Sequence, residues 1–410
     1  MNLVDDLVAK ILEEALDFRG RIWWQVALDR RNIATLSRDW QAKLYTNFHL
    51  WSNIPVRRAM SERYVAFLGE RAARGPVILD ISTESTGTKD CTMTELVETR
   101  LPLLRPVFAR AKAINIQTVD YSQWLQIAAV IGQYNAPNVT SALHSVASGL
   151  WLGEGELPFP ECVWIHCVRT LRLQSVPPLW ITTGAYSSLR QLRLVRVTDI
   201  SWPRLRDSLV SAAQVEVFEI KDVCCFTPAF GTPITMPNVA DFYLGYGDDE
   251  TAELLSGILL PGLRRLMVDA YSYATLQPLL EEDARVLRTA IILDIGVVEP
   301  TAGHLLLALC AMEGAVEIDV RRCGDQALDV CRSLGHHPQY KPARLERLVV
   351  QGELSVEVVR AWIAKASPHF TVISLAGFPI YGYMRRTAVM GRPDEVDFVQ
   401  LEYLGFWPDR

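Results

Sequence analysis

Long apolar runs are missing from the chain. Nothing in it approaches the ~20 uninterrupted apolar residues of a membrane-spanning helix, so no membrane partner is expected. The opening MNLVDDLVAK has two early acids and no basic-then-apolar order, which excludes the pattern of a secretory signal. Cysteine is sparse. Eight thiols spread over 410 residues make no disulfide framework, and a reduced compartment, cytoplasm or nucleus, is expected. A basic excess is also lacking. The formal net charge of −6 argues against a nucleic-acid binder working through a positive surface.

The marks of an active site are equally scarce. Gly149, Gly153 and Gly155 lack the strand–Gly-x-Gly-x-x-Gly–helix order that cradles phosphates, and there is no Gly-Lys-Ser/Thr loop or Gly-x-Ser-x-Gly elbow. Cys162, His166 and Cys167 have no matching second ligand pair. His336-His337 beside Pro338 reads as a solvent loop, Cys224-Cys225 as buried thiols, and Asp248-Asp249-Glu250 as an acidic helix cap. No catalysis, no cofactor and no metal are expected.

What the chain does have is a repeated apolar hexad. Val168-x-x-Leu171-x-Leu173 returns 21 residues later as Leu189-x-x-Leu192-x-Leu194. Polar residues alternate with the leucines, so each hexad reads as a short strand with one buried face. Such a strand cannot bury that face alone and needs neighbouring copies. Further copies begin at Val215, Val239, Leu263, Leu287, Ala315, Leu345, Phe370 and Val396. Weaker ones stand earlier, at Pro76–Ile81, at Ala111-x-x-Ile114-x-Ile116 and at Val139-x-x-Ala142. Helix-like runs, such as Ser355 to Lys365, fall between them. The spacing is that of leucine-rich repeats, although the asparagine common after the strand is absent and Cys323 is its nearest substitute. An α/β fold is therefore expected, an irregular leucine-rich-repeat solenoid with parallel strands over residues 76–410.

Ahead of the repeats, apolar residues recur at helical spacing: Leu3, Leu7, Ile11 and Leu12, then Ile33, Leu36, Trp40 and Leu44, closing on Leu50-Trp51. This predicts a helical unit over residues 1–55 and a connecting helix within 56–75. In its order — a Leu-x-x-x-Leu start, an Ile-Leu pair, Leu36-Ser37-Arg38-x-Trp40, and a final Leu-Trp — the unit resembles an F-box, and the whole is similar to fungal F-box proteins with degenerate leucine-rich repeats. Val4 stands where that family usually has proline, and the stretch near Asp17 to Asp29 is longer.

The resemblance implies a substrate-recognition subunit of a Skp–cullin–F-box ubiquitin ligase. Leu3, Leu7, Ile11, Leu12, Leu36, Trp40, Leu50 and Trp51 would meet a Skp-type adaptor of the cullin–RING ligase, and the repeats would hold a protein substrate. The alternative is a leucine-rich-repeat interaction protein with no ubiquitin-ligase role, its helices only capping the repeats. Strand alternation places Arg193, Tyr243, Met267, Ile291 and Leu293 on the open sheet face, an apolar and aromatic centre with charged flanks suited to binding protein.

Overall fold

The computed structural model describes residues 29–30, 32–35, 38–46, 48–72, 75–84, 90–147, 162–176, 186–197, 201–223, 233–245, 257–272, 292–299, 314–323, 326–338, 340–352, 354–376, 383–392 and 395–404. It is α/β, with parallel strands as its main feature. Two units are distinguished, Met1–Leu189 and Arg190–Arg410.

In the first unit, helix α1 (Arg38–Thr46) and a 3-10 turn (Phe48–Trp51) lead into strand β1 (Asn53–Arg57). Helix α2 (Glu62–Arg71) follows, started by the Ser61 hydroxyl, which accepts from the Tyr64 N–H. Then come β2 (Val77–Ser82), several short helical turns, β3 (Ala111–Thr118), helix α3 (Tyr121–Ile131), β4 (Ser141–Val146) and β5 (Thr170–Gln174). These strands run β1-β2-β3-β4-β5, all parallel. The sequence placed the first strand at Pro76–Ile81, but the sheet starts earlier. Trp51-x-x-Ile54-x-Val56 is itself a repeat hexad with all three side chains buried, so the expected boundary at residue 55 falls inside a strand. Pro55 is tolerated because β1 is the first strand in the order and has one neighbour among the described strands.

In the second unit the strands are β6 (Gln191–Val195), β7 (Val217–Lys221), β8 (Ile234–Thr235), β9 (Asp241–Gly245), β10 (Ile258–Leu259), β11 (Arg265–Ser272), β12 (Ile292–Glu299), β13 (Glu317–Arg322), β14 (Arg347–Gln351), β15 (Thr371–Ala376), β16 (Tyr383–Arg392) and β17 (Glu395–Leu404). Helix α4 (Trp202–Ser211) lies between β6 and β7, α5 (Gln326–His336) between β13 and β14, and α6 (Val356–Ile363) between β14 and β15. Strands β8 and β10 form a separate parallel pair. The main sheet is parallel from β6 to β15, then reverses, with β16 and β17 pairing antiparallel. The parallel expectation thus fails for the hexad at Val396.

Register explains the hexads. Leu192, Phe218, Phe242 and Leu266 are partners across β6, β7, β9 and β11, and each is buried. The same row continues through Leu293, Ile318, Leu348 and Val372. The hexad at 370–375 is therefore one place out of register, since Val372 and not Ile373 holds the row, and the hexad at 287–292 is three places out, since the row falls on Leu293 and not on Ala290. A fourth buried position follows four of the hexads, at Val176, Val197, Val223 and Cys323. It is reached through a left-handed residue directly after the strand at Ser175, Arg196 and Asp222, with φ of 53°, 51° and 50°.

Side-chain bridges tie successive copies together. Asn138 Nδ2 donates to the Ala109 carbonyl at 2.7 Å, and Asn238 Nδ2 to the Ala213 carbonyl at 3.0 Å. Both asparagines follow a proline and precede the hexad, so an asparagine bridge exists but stands before the strand. Indole N–H groups act likewise: Trp164 donates to the Ile131 carbonyl at 3.0 Å and Trp362 to the Cys331 carbonyl at 2.8 Å.

Candidate binding surfaces

At the N-terminal side, Leu3, Leu7, Ile11, Leu12 and Leu36 lie outside the described residues. Trp40 is half-buried in α1. Leu50 and Trp51 are in the core rather than on a surface, 6% and 2% exposed. The Trp51 indole donates to the Leu44 carbonyl at 2.8 Å and meets Phe67 of α2 edge-on at 5.4 Å. Arg30 closes this joint. Its guanidinium lies 4.5 Å over the Trp51 ring and donates to the Leu50 carbonyl. Burial lowers the Arg30 pKa, and a hydrogen bond with Tyr64 works in the opposite direction. Sequence periodicity had no signal for Arg30, whose partners are 20 or more residues away.

On the second unit's sheet, Arg193, Tyr243 and Met267 occupy one register row with Glu219, in the order Arg193, Glu219, Tyr243, Met267. All four are half-buried, on the face opposite the hexad row. Arg193 and Glu219 form an ion pair at 3.3 Å. Arg190–Glu216 at 3.4 Å and Arg196–Asp222 at 4.0 Å repeat it along the same two strands. The three arginines sit three residues apart, and each is answered by an acid 26 positions on.

Tyr243 lies along its strand over Gly245. A Cβ added at Gly245 would stand 3.0 Å from Tyr243 Cε1 and 3.2 Å from Lys221 Cγ. The glycine leaves room for the ring, and the lysine stem walls it. Leu293 has Leu266 and Ile318 as its register partners, and Asp294 pairs in register with Met267. The expected hexad, Leu287-x-x-Ala290-x-Ile292, is offset from this pairing by three residues, and an odd offset exchanges the faces of a strand. Ile291 lies outside the described residues.

One polar group occupies an inward row. His144 is the register partner of Ile116 and Leu173, and is fully buried. The Trp124 indole donates to its Nδ1 at 3.1 Å, and Trp164 stacks on it at 6.4 Å. Burial pushes its pKa down to about 3, so the ring is neutral and serves packing. The half-buried Cys162 and the buried Cys331 are similarly inert. Burial raises Cys162 and Cys331 to about 12, which removes the thiolate that reactivity requires. His336 and His337 are exposed. Among the described residues no group of three or more His, Cys, Asp or Glu side chains could hold a metal ion. Nor is any helix among them long and apolar enough to cross a membrane. Cys224, Cys225 and Asp248 to Glu250 lie outside the described residues. No protein-family model matches the chain, and no curated protein matches it.

Proposed function

We propose that the chain is the substrate-recognition subunit of a Skp–cullin–F-box ubiquitin ligase. In this reading its strands build an irregular leucine-rich-repeat solenoid, and the face bearing Arg193, Tyr243 and Met267 holds a protein substrate. The N-terminal helices dock the Skp-type adaptor, and the chain itself catalyses nothing. It raises the effective concentration of substrate at the ubiquitin-charged enzyme. The observation that supports this best is the repeated parallel strand with one buried and one half-exposed row, preceded by a helical segment that joins the first hexad at Trp51 without a linker.

The test is affinity purification with mass spectrometry, comparing the intact chain with Leu7→Asp/Ile11→Asp. Adaptor and cullin should disappear from the variant while other partners stay. If the intact chain captures no Skp-type adaptor, the ligase role is lost. Deleting residues 1–60 is a poorer test, since it would remove β1 and its pairing with β2. Burial of Leu50 and Trp51 favours the second reading, a repeat interaction protein whose helices only cap the sheet. In that case both baits return the same partners and no cullin.

A further inference from the structure

Among the described side chains, most arginines on the outward rows of the strands are answered within the fold. Arg57 is paired with Asp80, Arg193 with Glu219 at 3.3 Å and Arg347 with Glu317 at 3.2 Å. Arg265 makes no ion pair among the described residues, but Asp241 stands beside it in register on β9. Arg172, in the middle of β5, has no such neighbour. Its Nε is shut off from solvent and meets no acceptor, and no ion pair reaches the guanidinium among the described residues. Its register partner is Leu143, and Asn115 follows in the same row. No outward position of β3, β4 or β5 carries an acid; Ser141, Ser145 and Gln174 surround Arg172 and Leu143 with neutral polar groups. The acid nearest along the row, Asp80, stands on β2, beyond β4 and β3, and is held by Arg57.

A guanidinium nitrogen that has lost water and gained no acceptor is uncompensated in the free chain, and an anion brought by a partner would supply what the fold omits. Charge decides which anion. Arg172 is a single cation among neutral groups, which matches a singly charged carboxylate. A phosphate, at about −1.5 to −2, calls for more than one base. The half-buried Leu143 offers an apolar contact one strand spacing, ~4.8 Å, to the side. We propose that the β3–β5 face of the first unit takes an acidic segment of a partner protein. An Asp or Glu carboxylate of that segment is forked on Arg172, and an adjacent apolar side chain rests on Leu143. This needs neither Tyr243 and Met267 nor the ligase role.

The experiment selects random peptides displayed on phage against the full chain, and against its Arg172→Gln and Arg172→Glu variants. On the intact chain, peptides with Asp or Glu near an apolar residue should be enriched roughly tenfold or more. Arg172→Gln should lose that enrichment, and Arg172→Glu should enrich Lys or Arg instead, a gain that a misfolded variant cannot give. One enriched peptide is then resynthesised, with its acid and with phosphoserine in the acid's place, and titrated by fluorescence anisotropy. The phosphopeptide should bind no more tightly than the carboxylate form, and Leu143→Ser should weaken the carboxylate form about threefold. The proposal is overturned by a selection on the intact chain that shows no acidic preference, or by the same acidic preference on Arg172→Glu. Tighter binding of the phosphopeptide, or an affinity indifferent to Leu143→Ser, overturns it equally.

Discussion

Acid should weaken the first unit through His144. In the folded chain its pKa is held at about 3 by burial, against 6.5 for the free side chain. A depressed histidine is neutral in the fold while the unfolded chain takes up a proton. Its effect is therefore nil above about pH 6.5 and costs more stability with each step down toward pH 3. One pH unit is worth ~1.4 kcal/mol, so lowering the pH from 6.5 to 5 should cost roughly 2 kcal/mol. That is a large share of an ordinary domain's ~5–15 kcal/mol. The comparison is His144→Gln, whose side-chain oxygen can still accept from the Trp124 indole but does not titrate. Urea unfolding of both proteins would be followed at pH 7.5, 6.5 and 5.0 by tryptophan fluorescence, Trp124 and Trp164 being next to the site. The variant should be the less stable at pH 7.5, and the gap should narrow by about 2 kcal/mol by pH 5. Taking the difference removes the carboxylates common to both. A gap that stays constant with pH would refute the argument that His144 is neutral because it is buried.

Three further outcomes follow from contacts in the two units. Arg30→Met should cost roughly 2–3 kcal/mol, because the Leu50 carbonyl and Tyr64 lose a charged partner; hydrogen exchange of the β1 amides should rise in parallel. Trp362→Phe keeps the ring stacked on Phe370 but removes the bond to the Cys331 carbonyl, so its urea midpoint should fall by the equivalent of ~1 kcal/mol. Gly262→Ala would place a methyl 2.3 Å from the Pro237 carbonyl oxygen, and a melting curve should record a loss of about 1–3 kcal/mol.

Much of the sheet was legible from the hexads, because a period of two separates the buried row from the open one. Leu171, Leu192, Phe218, Phe242 and Leu266 all fall where the spacing puts them. Reading failed where the period was ambiguous. Ile291-Ile292-Leu293 and Thr371-Val372-Ile373 offer apolar residues in both phases, and only pairing with neighbours chooses between them. Strand β1 was missed because Pro55 reads as a breaker, although an edge strand accepts it. Helix α3 hides for another reason: WLQIAAVI is apolar on nearly every side and shows little 3.6-residue periodicity. Strand direction is invisible altogether, since a hexad looks the same in a parallel and an antiparallel pair; hence the reversal at β16.

The candidate surface was legible in its residues but not in its charge. Alternation places Arg193, Tyr243 and Met267 on the open face, yet it cannot reveal that Glu219 answers Arg193. That requires knowing that β6 and β7 pair at an offset of 26, which the intervening helix α4 sets. From sequence the early repeats look basic. In the fold, Arg190, Arg193 and Arg196 each face an acid, and a polyanion would have to compete with Glu216, Glu219 and Asp222 for them. Exposed pairs of this kind contribute little to stability, ~1 kcal/mol or less each. Their larger effect is to hold the flank electrically neutral beside a Tyr–Met pair. Selectivity on such a face falls to the apolar contact that the neighbouring Tyr243 and Met267 offer.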